Sequence, residues 1–160
     1  MKKTVIGIVI GIILGILAMG IFVWNMMPKK MLMVRKSKYN FEETITRIEE
    51  GIYSNNWEVL HIYDIGECLF AEGFDDNYLR VNVISLCQPE YSYNILQDDA
   101  NKKISAIMPC RIAIYEDSQG DVYISRMNIG LLSKMFGGVI TDIMQTVAED
   151  DQKIISEVIE

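Results

Sequence analysis

Cys110-Arg111-Ile112-Ala113-Ile114-Tyr115 and Val122-Tyr123-Ile124-Ser125-Arg126-Met127 are two runs rich in β-branched and aromatic side chains. Between them lies the polar segment Glu116-Asp117-Ser118-Gln119-Gly120-Asp121. Such runs on either side of a short polar segment read as two strands of a hairpin, and Gly120 supplies the positive φ that a tight turn needs. Outward from this hairpin, Tyr78 to Leu86 is a further Val/Ile-rich strand, Trp57 to Ile65 alternates as another, and Met31 to Val34 reads as a first short one.

The helices separate by their period. Asn40 caps a helix with Glu43 in capping-box position, and Phe41, Ile45, Ile48 and Ile52 form its apolar stripe. Asn55-Asn56 ends it. Gly66 to Asn77 reads as a loop or short helix with Asp75-Asp76 facing solvent. Pro89 breaks the preceding strand, and Glu90 to Asp98 is a short helix with Tyr91 and Ile95 on one side. Gly130 to Phe136 begins helical structure, Gly137-Gly138 permits a bend, and Val139 to Val158 continues as the final helix. Its inward stripe is Ile140, Ile143, Met144, Val147, Ile154, Ile155 and Val158, with Glu149-Asp150-Asp151 as a solvated face or a break. Strands that neighbour one another in sequence, with a hairpin near the end, predict an α+β fold: a mainly antiparallel sheet with helices on one face.

Ahead of this domain, Val5 to Trp24 carries only apolar side chains and glycine. At 1.5 Å per residue that run spans about 30 Å, the thickness of a bilayer's hydrocarbon core. Trp24 favours the interface, and Pro28-Lys29-Lys30 is expected to stop the helix in water. Residues 1–28 are therefore read as a transmembrane anchor in contact with lipid through residues 5–27, and residues 29–160 as a soluble α+β domain. A cleaved signal peptide would have a shorter apolar region closing on a small-x-small site; here Ile21-Phe22-Val23-Trp24 carries the run straight through Ala18-Met19-Gly20. Gly7, Gly11 and Gly15 share one helix face, the spacing that lets two membrane helices approach closely and self-associate. The orientation signals are divided: Lys29, Lys30, Arg35, Lys36 and Lys38 outnumber Lys2 and Lys3, whereas a very short basic N-terminus favours export of the domain into a position outside the single-pass membrane.

Residues 1–28 hold two lysines and no acid, which leaves 13 basic and 22 acidic side chains, a balance of −9, for the rest. Such a surface repels phosphate backbones, so nucleic acid is excluded as a partner class.

Several of these residues also form a familial pattern. Ser37-Lys38-Tyr39-Asn40-Phe41 before the amphipathic helix, Cys87-Gln88-Pro89, Met108-Pro109-Cys110-Arg111-Ile112-Ala113, and Ser125-Arg126-Met127-Asn128 resemble the bacterial and archaeal domain of unknown function 302. The resemblance runs from about Lys36 to Val158. The family often has asparagine where this chain has Gln88. The resemblance implies a fold akin to the TATA-binding-protein type and a tendency to form homodimers; it implies no activity.

Candidate site residues are few. Cys87 and Cys110 each lie at a strand end beside a proline, and Arg111 follows the second; a thiolate beside a guanidinium has a lowered pKa and becomes nucleophilic or metal-competent. The plainer reading is two packed cysteines and a surface arginine, or a disulfide if the domain is exported. His61, the one histidine, sits mid-strand in register with Val59 and Tyr63 and reads as a partly buried ring. With a single histidine, multi-histidine zinc sites are excluded, and no Gly-x-Ser-x-Gly elbow, P-loop or dinucleotide fingerprint occurs, so neither metal nor cofactor is expected. Tyr91, Tyr93, Tyr115 and Tyr123 are expected to line an apolar pocket between sheet and helices or to pack the core, and Met127, Met135 and Met144 to pack likewise. The sequence expectation is a membrane-anchored, non-catalytic, homodimeric module that binds a small apolar or protein ligand on its sheet, with Cys87, Cys110, Arg111, His61, Tyr115 and Tyr123 as the candidate ligand-binding residues. The alternative is a thiol-dependent redox or metal protein using Cys87 and Cys110.

Overall fold

The computed structural model describes residues 2–74 and 79–160; Asp75-Asp76 and Tyr78, placed above in a loop and a strand, lie outside the described residues. The chain divides into two units that meet between Leu32 and Met33. The first is a single helix, α1 (Lys2–Met31). Its segment Gly11–Met31, 21 residues with a mean hydropathy of 1.8, is long and apolar enough to cross a membrane. The helix does not stop at Pro28, as the sequence suggests, but runs through it. Proline's fixed φ is compatible with a helical turn, and Lys29 and Lys30 in the last turn suit the negative end of the helix dipole.

The second unit contains all but the first residue of β1 (Leu32–Lys36), then α2 (Phe41–Ser54), β2 (Glu58–Asp64), α3 (Ile65–Ala71), β3 (Val81–Cys87), α4 (Pro89–Leu96), a 3₁₀ helix (Asp99–Ile107), β4 (Cys110–Glu116), β5 (Val122–Met127), α5 (Ile129–Ser133) and α6 (Gly138–Ile155). The five strands among the described residues form one sheet in the order β1-β5-β4-β3-β2. The pairs β2–β3, β3–β4 and β4–β5 are antiparallel. The hairpin closes as read: Gly120 has φ 81°, and the Asp117 carboxylate accepts from the amides of Gln119 (2.9 Å) and Asp121 (3.0 Å).

In α2, Asn40 Oδ1 accepts from the Glu43 amide at 2.9 Å, while the Glu43 carboxylate accepts from Arg47 Nε at 2.9 Å. Thr44, absent from the apolar stripe, is nevertheless fully buried, because its hydroxyl shares a 2.6 Å hydrogen bond with Ser37 Oγ. Asn56 ends the helix at φ 62°, a left-handed conformation that asparagine tolerates.

Strand alternation sends Ile84, Leu86, Ile112, Ile114, Val122 and Ile124 to one face, where they form a core with Phe41, Ile48 and Ile52 of α2 and Val147, Ile154 and Ile155 of α6. A smaller cluster joins Ile95 of α4, Ile104 of the 3₁₀ helix, and Ile140 and Met144 of α6. The 3₁₀ helix has no sequence signal beyond Asp98, whose carboxylate accepts from the Ala100 amide.

The two main helices meet at Gly51, where a Cβ would stand 2.6 Å from the Ile154 carbonyl oxygen. A backbone atom cannot rotate aside. Gly51→Ala is therefore expected to destabilise the domain by about 1–3 kcal/mol in chemical denaturation, despite alanine's better helix propensity. Thr46→Ala, on the exposed side of the same helix, stays within about 0.5 kcal/mol.

Candidate functional site

The sheet's second face is built from the alternate residues of the same strands. Register places His61 beside Ser85 and Arg111, Tyr63 beside Val83, Ala113 and Ser125, and Val81 beside Tyr115 and Tyr123. None of these side chains belongs to either core cluster. Tyr115 and Tyr123 stack with ring centroids 5.5 Å apart and planes 22° apart. His61 and Tyr63 meet edge to face at 4.5 Å. A β-bulge between Val59 and His61 breaks the strand's alternation, so Val59 packs against the core while His61 is exposed, not the partly buried ring the sequence suggested. His61, Arg111, Tyr115 and Tyr123 thus share this face. The four tyrosines do not converge on an inner pocket: Tyr91 packs against the core, Tyr93 is exposed, and the other two are on the far face. Of the methionines, Met144 is buried while Met127 and Met135 are exposed.

The thiols lie elsewhere. Cys110 packs against the main core, so alternation along β4 sends Arg111 to the opposite face and no guanidinium stands beside the sulfur. Burial, and then Cys87, push the Cys110 thiol up to about 11, the reverse of the lowering expected from Arg111. Cys87 Sγ shares a 3.0 Å contact with Ser92 Oγ. Cys68, Cys87 and Cys110 are all free. Among the described residues no three His, Cys, Asp or Glu side chains are grouped so as to hold a metal ion.

The most constrained polar groups lie in Glu149-Asp150-Asp151, expected as a solvated face or a break in the last helix. Asp150 and Asp151 are buried, at 8% and 6% exposure, in the middle of α6. Asp150 accepts from Lys153 Nζ (2.8 Å), Tyr91 Oη (3.1 Å) and Trp57 Nε1 (3.5 Å). Burial alone would raise its pKa; the bonds from Lys153, Tyr91 and Trp57, with the Lys153 charge, outweigh that and hold it below the ordinary value. Asp151 pairs with Arg126, which also donates to Gln152 Oε1 at 2.6 Å. Burial, aided by Arg35, lowers Arg126 to about 10, so it stays cationic at neutral pH. A signal for this was present: Asp150 and Asp151 fall between Val147 and Ile154 on the inward stripe, and Arg126 continues the inward alternation of Val122 and Ile124.

A small α+β domain with one helix-covered sheet face is the class these features define. The family model for the domain of unknown function DUF302 matches residues 33–159, and the chain belongs to that family. Among solved structures it is similar to an uncharacterized conserved protein DUF302 from Bacillus stearothermophilus, with 19% identity, a TM-score of 0.69, and coverage of 79% of this chain and 96% of that one. That likeness shows the fold. No curated protein matches the chain.

Three measurements follow from this geometry. Asp151→Ala leaves Arg126 buried and unpaired and is expected to cost about 3–5 kcal/mol in denaturant titration, whereas exposed Glu149→Ala stays within about 0.5 kcal/mol. Because Asp150 is depressed in the folded state, its stabilisation is full above the unfolded pKa of about 3.9 and disappears as pH falls through the folded value; Asp150→Asn flattens the stability–pH curve in that acid window. With a thiol reagent at neutral pH, exposed Cys68 is labelled first and Cys110 last, and Cys110 reacts only on unfolding.

Proposed function

We propose that this protein is a membrane-tethered, non-catalytic binding module whose uncovered sheet face takes a small apolar ligand. The observation that carries the reading is the stacked Tyr115–Tyr123 pair on a face that contributes to neither core cluster. Amphipathic aromatic rings on a rigid sheet give large contact area at low entropy cost. Val81, Val83 and Ala113 lie beside them in register, and His61 and Arg111 supply polar groups at one margin. The apolar segment Gly11–Met31 supports a single-pass anchor, with Gly11 and Gly15 on one face of α1 for pairing with a second copy. The acidic balance of the domain disfavours nucleic acid.

Isothermal titration of the full chain in nanodiscs against a panel of small aromatic and aliphatic ligands tests this. Binding heat above that of empty nanodiscs is expected, weakened at least about tenfold, or about 1.4 kcal/mol, by Tyr115→Lys or Tyr123→Lys. Heat that persists unchanged in both variants, or none across the panel, removes the reading. Ligand-free chains in which the face is already protected by a second copy would show concentration-dependent heats of dilution instead, and would assign the face to self-association.

A further inference from the structure

A cleft lies on the helix-covered side, apart from the sheet face proposed above. Met33, Arg126, Asn128, Ile129, Ala148 and Gln152 line most of a cleft of about 530 Å³, a size suited to a small ligand. The Arg126 side chain is only 4% exposed. Its Nη1 is taken by Asp151 and its Nη2 donates to Gln152 Oε1 at 2.6 Å, but its buried Nε–H has no acceptor among the described residues. A buried donor without a partner is destabilising. Nε–H and one N–H of Nη2 lie parallel within the guanidinium plane and form a two-pronged edge that matches a carboxylate. The single amide oxygen of Gln152 fills one prong of it, and Gln152 is an exposed residue that can swing away.

We propose that this cleft binds a small carboxylic acid with a short apolar body. Its carboxylate displaces the Gln152 amide oxygen and accepts from Nε and Nη2 together, while its apolar part rests on Met33, Ile129 and Ala148. Glu149 and Asp151 also border the cleft; Asp151 is neutralised by Arg126, Lys153 on the same wall is paired with Asp150, and Arg35 near the guanidinium is the cation left to offset Glu149. A doubly charged phosphate would face Glu149 and leave the apolar wall uncovered, so the singly charged carboxylate is the better match.

The test uses the full chain in nanodiscs with sodium butyrate as probe, sodium chloride at equal ionic strength as reference, and butyramide and inorganic phosphate as comparison solutes. Butyrate is expected to raise the melting midpoint saturably and to shift the Arg126 Nε–H resonance; butyramide and phosphate do neither. Gln152→Glu supplies the missing carboxylate from the chain itself. It is expected to melt higher than the parent without ligand and to bind butyrate at least about tenfold more weakly, whereas Gln152→Ala binds it at least as tightly as the parent. A butyrate response no larger than that of chloride overturns the proposal, as does an equal response to phosphate or to butyramide, or undiminished butyrate binding by Gln152→Glu.

Discussion

The inner face of this sheet must be dry along its length, and it ends in an arginine. Val122 and Ile124 are followed on the same side of β5 by Arg126, so the strand that contributes two apolar side chains to the core also drives a guanidinium beneath α6. Burying that cation is feasible only if a carboxylate meets it, because an unpaired charge in a low-dielectric interior is far more costly than a paired one. Asp151 meets it. Its neighbour Asp150, about 100° further round the helix, takes hydrogen bonds from Trp57 and Tyr91 on the β2 and α4 side. Consecutive carboxylates therefore bind α6 to both sides of the covered face, and a shift of the helix along its axis would leave Arg126, Trp57 and Tyr91 without acceptors.

With that face closed, the other is set by strand alternation. The same residues that give β3, β4 and β5 their core side chains leave Val83, Ala113, Tyr115, Tyr123 and Ser125 on the opposite side. Sheets with one face packed and one face wet normally alternate apolar with polar residues. Here the outer positions include stacked tyrosines, valine and alanine, an unusual composition for a solvated face and the physical basis for reading it as a binding surface.

Much of the fold was legible in the sequence because its signals are local. The hairpin at Gly120, the Asn40 cap with its stripe through Ile52, and the inward stripe of α6 each depend on spacing along one segment. What was not legible depends on which segments meet. Glu149-Asp150-Asp151 looks like solvated charge until Arg126, Trp57 and Tyr91 are placed around it. The bulge between Val59 and His61 sends to opposite faces two residues expected on the same one. Cys110 and Arg111 are adjacent in sequence yet lie on opposite faces, so the chemistry inferred from their adjacency is not supported. Among the site residues, His61, Arg111, Tyr115 and Tyr123 share one face, whereas Cys110 packs against the core on the other and Cys87 contacts Ser92 of α4. The 3₁₀ helix over Asp99–Ile107 carries a weak local preference and is held by Ile104 in the smaller cluster, a tertiary effect that no window of sequence reveals.

Strand alternation gives the sheet two faces of opposite accessibility, and methyl relaxation enhancement by a soluble paramagnetic chelate, measured on the full chain in nanodiscs, reads this directly. Strong enhancement is predicted at Val83 and Ala113 and weak enhancement at Ile84, Ile112, Ile114 and Ile124, alternating residue by residue along β3 and β4. Equal enhancement on both faces, or protection of Val83 and Ala113 in dilute monomeric chains, would contradict it.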